Sequence, residues 1–447
     1  MISRFHRLLE LLPHVTPRAT AMIAVPVLFV PFLPGWWAWA AAVVWLGGWM
    51  AVVIAEYRTA PGPDDITLVR ELPTKLSIGV PNPVRLRFAN HRTHGAVLLG
   101  RETPPSGFDG ERRFGPVSVP PHSEAEVVLH FTPWRRGAYR FGDPGVRSMG
   151  PLGLAGRQFT LPLAEECRVY PDILAVHRYA LLARKGALQE LGIRMMRYAG
   201  AGTEFESLRD YERDDDYRDI DWKATARRGK PVVRRFEVER SQTIVLAVDA
   251  GRLMQPVVGG LSKLDRAVNA ALLLAFLATR GGDLVGLLVF GRDVHTFLPP
   301  KKGHRQFLAV LEALYSVEGK TEESDYVRAL TYLSTRLSRR SLVVLFTDVV
   351  GQEPSRRLIG VLNGLMPRHL PLVITQRNRD IERRARAEAR TESEVFGVAV
   401  AEDVLRDKAE ALGVLASRGA LVVDVDPDEL SVTAVNRYLE VKARGRL

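Results

Sequence analysis

Between Gly202 and Glu239 the chain reads GTEFESLRDYERDDDYRDIDWKATARRGKPVVRRFEVE. Acids at Glu204, Glu206, Asp210, Glu212, Asp214, Asp215, Asp216, Asp219 and Asp221 are interleaved with Arg209, Arg213, Arg218, Lys223, Arg227 and Arg228. Opposite charges this close in sequence pair at short range, which predicts a fixed network rather than a flexible acidic linker. Phe205, Leu208, Tyr211, Ile220 and Trp222 recur within it and provide an apolar underside that would sit half buried against a core. Two readings follow. Glu204, Arg209, Tyr211, Asp215, Arg218, Asp221, Trp222, Lys223 and Arg227 either brace the segment against the following domain or form a docking surface for another protein, because structural charge networks imitate functional sites.

Downstream the pattern is α/β. Val232 to Val238 alternates as an edge-type strand. Thr243 to Val248 is a continuous apolar run ending in Asp249, as expected of a strand covered on both faces. A helix is expected from Leu261 to Arg280, stopping at Gly281-Gly282. Strands at 284–290, 342–346, 370–374 and 421–425 alternate with helices at 306–314, 326–337, 358–366, 402–418 and 428–441, and 381–390 reads as a charged, solvated helix. This rhythm predicts a doubly wound parallel sheet over residues 241–447, whose ligands collect beyond the carboxyl ends of the strands. Asp249 and Asp348 each follow an apolar strand and would converge there.

Upstream, residues 61–172 change period to two. Leu76, Ile78 and Val80, then Val84, Leu86 and Phe88, and later Val127, Leu129 and Phe131 alternate between turn signals such as Pro81-Asn82-Pro83, which predicts a small β-sandwich. Residues 173–240 hold the charged signature. The first 60 residues read as a membrane anchor: no charged side chain occurs from Ala19 to Ala55, and Pro34-Gly35 divides the run into helices at about 19–33 and 36–55. Arg4, Arg7 and Arg18 before the first span and Arg58 after the second predict a two-pass inner-membrane protein with both termini cytoplasmic. A cleaved signal peptide is the competing reading, and the apolar run is too long for one.

The chain has 447 residues, 62 Lys plus Arg against 51 Asp plus Glu, and a formal charge of +11. A basic balance suits nucleic acid, an anionic membrane or an acidic protein, but no nucleic-acid module is present. With Cys167 as the sole cysteine, an intrachain disulfide and a Cys-rich zinc site are excluded. No Gly-x-x-x-x-Gly-Lys-Ser/Thr occurs, so any ATP-driven step belongs to a partner.

The signature resembles that of the bacterial family catalogued as domain of unknown function fifty-eight. Gly202, Glu204, Phe205, Leu208, Arg209, Tyr211, Asp215, Arg218, Ile220, Asp221, Trp222, Lys223, Ala226 and Arg227 match its pattern, and Asp214 stands where that family usually has Gly. The resemblance implies a membrane-anchored, non-enzymatic module that works with a MoxR-type AAA+ ATPase in assembling or remodelling protein complexes. The α/β region also looks like the von Willebrand factor A fold, whose adhesion site holds Mg²⁺ through Asp-x-Ser-x-Ser, a Thr and a final Asp. Here Asp249-Ala250-Gly251-Arg252-Leu253 lacks both serines, while Ser324 and Asp348 stand at the remaining positions. Two of three hydroxyls are missing, so no Mg²⁺ or other cofactor is expected. Arg252 could act as a built-in cation between Asp249 and Asp348, or it could face solvent. The alternative function is a metal-dependent hydrolase or nuclease with Asp215 and Asp221 holding two ions.

Overall fold

The structure is a computed structural model that describes residues 14–25, 35–184, 204–212, 217, 220–237 and 241–444. The chain divides into two compact units, Met1–Tyr170 and Pro171–Leu447.

The first unit holds β1 (His14–Val15), α1 (Pro17–Ile23) and α2 (Trp36–Thr59), followed by strands β2 (Ile66–Glu71), β3 (Leu76–Ser77), β4 (Asn82–Asn90), β5 (Ala96–Arg101), β6 (Phe108–Gly110), β7 (Arg113–Val119), β8 (Glu124–Pro133), β9 (Gly137–Phe141), β10 (Gly145–Met149), β11 (Ala155–Thr160) and β12 (Glu165–Tyr170). They form sheets ordered β1-β11-β10-β5-β7, β2-β4-β8-β6 and β3-β12-β9. The period of two is realised directly: Ile66, Leu68, Val84, Leu86 and Phe88 are buried while Thr67, Val69, Arg85 and Arg87 are exposed. Phe88, Phe108, Phe114, Phe131 and Phe141 fill the interior, with tilted and edge-on ring contacts between 5.2 and 5.8 Å.

α2 is long and apolar enough to cross a membrane, and 11% of its apolar window is buried, so it is not a core helix of the sandwich. Its last turn is tied to the strands. Glu56, 4% exposed, accepts the backbone N–H of Leu152 at 2.7 Å and of Leu154 at 3.0 Å. Trp49 donates to the carbonyl of Ala19 at 3.0 Å. Of the expected first span, residues 26–33 lie outside the described residues.

The second unit begins with α3 (Ile173–Arg184). The signature then supplies β13 (Glu204–Asp210), α4 (Trp222–Arg228) and β14 (Val232–Glu237). β13 and β14 pair with each other in a separate antiparallel ribbon, so the strand expected at Val232 completes the signature rather than edging the main sheet. That sheet contains β15 (Thr243–Asp249), β18 (Leu284–Phe290), β19 (Val294–Lys301), β20 (Leu342–Phe346), β21 (Leu370–Gln376) and β22 (Leu421–Val425), with a small hairpin of β16 (Val257–Val258) and β17 (Leu261–Ser262) beside it. Its order is β19-β18-β15-β20-β21-β22. All neighbours are parallel except β18 and β19. β19 carries Pro299 and Pro300, which an edge strand tolerates because its outer N–H groups have no ladder to join; those prolines also hid it in the sequence.

Helices α5 (Lys263–Arg280), α6 (His304–Tyr315), α7 (Tyr326–Ser334), α8 (Gln352–Leu365), α9 (Arg379–Ala385), α10 (Glu392–Ser417) and α11 (Leu430–Ala443) complete the unit. One face of the sheet packs Val245, Ala247, Val343 and Leu345 against Leu330, Leu358, Leu362 and Leu415 of α7, α8 and α10. α10 starts ten residues earlier than expected because Thr391 and Glu394 form a capping box there.

Candidate functional site

The chain departs from the sheet in opposite senses after β15 and β20, its central parallel pair. A ligand crevice is expected at this switch point, and Asp249 and Asp348 both lie there, 1% and 2% exposed.

Asp249 is held by neutral donors alone. Its Oδ1 accepts the backbone N–H of Gly251 at 2.8 Å and the Ser324 hydroxyl; its Oδ2 accepts Thr347 Oγ1–H at 2.6 Å and Tyr326 O–H at 3.2 Å. Burial pushes its carboxyl above the usual range, and the hydrogen bonds from Ser324, Thr347, Gly251 and Tyr326 pull the other way.

Asp348 is held by cations. Lys263 Nζ contacts Oδ2, and Lys408 Nζ lies 3.1 Å from Oδ1. Lys408 also reaches Asp424 Oδ1 at 2.9 Å and donates to the carbonyl of Gln376 at 2.7 Å. Gln376 in turn donates to the carbonyl of Lys263 at 2.7 Å, linking the two lysines. Two carboxylates and two ammoniums thus offset one another. Lys263 is the first residue of α5, whose N-cap is Ser262. A helix N-terminus disfavours a cation, so Asp348 is what makes that position tolerable. Lys408 projects from the buried side of α10 that also carries Ala401, Ala411 and Leu415.

This donor set does not suit a divalent cation. Asp348 is already matched by two ammoniums, and the Ser324 hydroxyl is committed to Asp249. A Cβ at Gly251 would lie 2.0 Å from Ser324 Oγ, so a serine there would collide with the remaining hydroxyl. Among the described residues no cluster of three or more His, Cys, Asp or Glu side chains is placed to hold a metal ion.

Arg252 does not take the cation role considered for it. Its guanidinium is more than half exposed and pairs with Glu323 at 2.9 Å. The cations are Lys263 and Lys408, which the sequence reading missed. A signal existed for Lys408: it falls seven residues from both Ala401 and Leu415, on the apolar stripe of its helix. Arg252, Glu323, Glu353 and Arg357 border a cavity of about 160 Å³ that reaches Asp249, Ser324 and Tyr326.

The signature residues are placed as follows. Glu204 and Arg209 lie on β13. Tyr211 donates its backbone N–H to the Pro231 carbonyl at 2.9 Å. Asp221 caps α4, accepting from the N–H groups of Lys223 and Ala224, both at 3.0 Å. Lys223 and Arg227 are exposed. Trp222, expected as an anchor on the apolar underside, is instead 67% exposed, because α4 buries none of its residues. Asp215 and Arg218 lie outside the described residues.

The strand order, the single antiparallel edge and the paired aspartates at the switch point define a von Willebrand factor A-like domain in which lysines accompany the final aspartate. Residues 207–426 match the family described as "Protein of unknown function DUF58". That region of the chain is similar to the family. It is 29% identical over 154 residues to an uncharacterized protein of Mycobacterium tuberculosis (Rv1480) and to one of Mycobacterium bovis (Mb1516), a match that covers 34% of this chain and 49% of each relative. The matched region thus spans about half the length of these curated relatives. Among solved structures, BatB from Bacteroides thetaiotaomicron is 15% identical with a TM-score of 0.28, covering 45% of this chain and 99% of that one. The SpRpn10 VWA domain is 10% identical with a TM-score of 0.28, covering 44% and 94%.

Proposed function

We propose that this protein is a membrane-anchored, non-catalytic interaction module whose α/β domain engages a MoxR-type AAA+ ATPase during the assembly or remodelling of protein complexes. On this reading α2 is part of an inner-membrane anchor and both termini are cytoplasmic. The observation that carries it is the pairing of Lys263 and Lys408 with Asp348. An ion-dependent adhesion site recruits its partner's carboxylate to a metal; with ammoniums in place, the apex is complete without one. Contact then falls to the charged rim of Arg252, Glu323, Glu353 and Arg357, and to the exposed Trp222 of the signature.

The test is capture of the ATPase by the detergent-solubilised chain, with divalent cations present and then chelated, in the absence of nucleotide. The expected result is capture that survives chelation and is lost in Trp222→Ala or in Arg252→Glu with Arg357→Glu. Capture that requires Mg²⁺, or that ignores all of these variants, would overturn the reading.

A further inference from the structure

The sandwich unit has a charged concavity of its own. A groove of about 860 Å³ is lined by Arg101, Arg112, Arg113 and Arg147 together with Gln158 and Thr160. Strand register creates this array. Arg101 of β5 is directly opposite Arg113 of β7, and on its other side it meets Gly145 of β10, which pairs with Thr160 of β11. Two residues further along, Arg147 stands between Leu99 and Gln158. Partners across a ladder project from the same face, so three guanidinium-bearing side chains converge on one side of the sheet.

Like charges directly opposite each other destabilise a sheet unless something offsets them. Of the two acids at the groove, neither pairs with these arginines. Glu102 Oε1 is 2.5 Å from Arg70 Nη2 in a pair 0–1% exposed, and Asp143 accepts the backbone N–H of Leu163 at 2.8 Å. Among the described residues, Arg101, Arg112 and Arg113 enter no ion pair. Arg147 gives Nη2 to Gln158 Oε1 at 2.9 Å, which leaves its Nε–H shielded from solvent with no acceptor.

We infer that this groove binds a soluble oligo-anion carrying two or more phosphate or carboxylate groups. Arginine forks match both groups through paired hydrogen bonds, and the groove is far larger than one phosphate. On the proposed anchoring by α2, its position argues against a lipid headgroup. The β10–β11 turn is the part held by Glu56 at the end of α2. Arg147 lies about 10 Å and the Arg101–Gly145 row about 17 Å up the strands from Gly150, at about 3.4 Å per residue.

The test uses the full chain in phosphatidylcholine nanodiscs, titrated calorimetrically at fixed ionic strength with inorganic tripolyphosphate and, separately, with citrate. Saturable binding of at least one probe is expected, weakened about tenfold or more, roughly 1.4 kcal/mol, in Arg101→Ala with Arg113→Ala. Gly145→Glu should weaken it equally: nothing lies within 4 Å of the added Cβ, so the sheet accommodates the change and the new carboxylate meets the guanidiniums. Unchanged circular dichroism establishes that both variants fold. Absence of binding, or equal binding by wild type and both variants, would overturn the inference. So would loss of probe binding when phosphatidylglycerol is added to the discs, which would assign the groove to lipid.

Discussion

The ammonium of Lys408 stands 3.1 Å from Asp348 Oδ1, although 60 residues of chain separate the two. With Lys263 on the other oxygen, it makes the crevice beyond β15 and β20 an internal electrostatic joint. The joint fastens β20, α5 and α10 at one point and so stabilises the apex.

Removing one cation should therefore be severe. Lys263→Met leaves a buried carboxylate short of a partner and is expected to cost about 3–5 kcal/mol in urea denaturation. Combining it with Asp348→Leu should cost less than the sum of the single changes, because the pair is then replaced by apolar volume. Additive losses would show that the contact contributes nothing of its own.

Restoring the missing serine should not restore an ion site. Gly251→Ser is expected to lower the melting temperature, since its Cβ falls 2.0 Å from Ser324 Oγ, and added Mg²⁺ should leave the midpoint unchanged. A rise with Mg²⁺ that saturates would show that the apex still accommodates a cation.

Glu56 is predicted to fix the end of α2 to the sandwich. Glu56→Ala strands the N–H groups of Leu152 and Leu154, at about 1–3 kcal/mol each. Thermal denaturation should show the loss, and limited proteolysis should find new cleavage between 150 and 155. Glu56→Gln, which keeps one acceptor oxygen, should fall between the two.

His369 sets an acid limit on the second unit. It is 2% exposed with neither ring nitrogen hydrogen-bonded, and burial, then Arg368 and Arg340, hold its pKa below the ordinary value. A base whose folded pKa is depressed contributes stability above its unfolded pKa, near 6.5, and loses it as pH falls through the folded value. Urea midpoints should therefore drop more for wild type than for His369→Leu between pH 7.5 and pH 5. Parallel drops would mean that the ring finds a proton acceptor.

Much of this architecture is legible in one dimension because periodicity is local. Alternation through Ile66, Leu68, Val84, Leu86 and Phe88 identifies the sandwich, and the unbroken apolar runs at 243–248 and 342–346 identify strands covered on both sides. Trp222 shows the limit: its helix is placed by Asp221 and Gly229, but whether its ring is covered depends on residues distant in sequence. β19 was hidden because proline disfavours strands in general and is tolerated only at an edge, a property that the assembled sheet creates.

By itself, the sequence determined the signature, the alternation of the parallel strands with helices, the apolar helix and the loss of two hydroxyls near Asp249. Only the tertiary structure decided which cations meet Asp348. Arg252, in the same turn as Asp249, was the candidate that the local sequence offered, yet Lys263 and Lys408, 85 and 60 residues from Asp348, are the ones delivered. The physical reason is that local pattern sets which face of an element is buried, whereas pairing of charges across elements is set by the sheet order that brings their ends together.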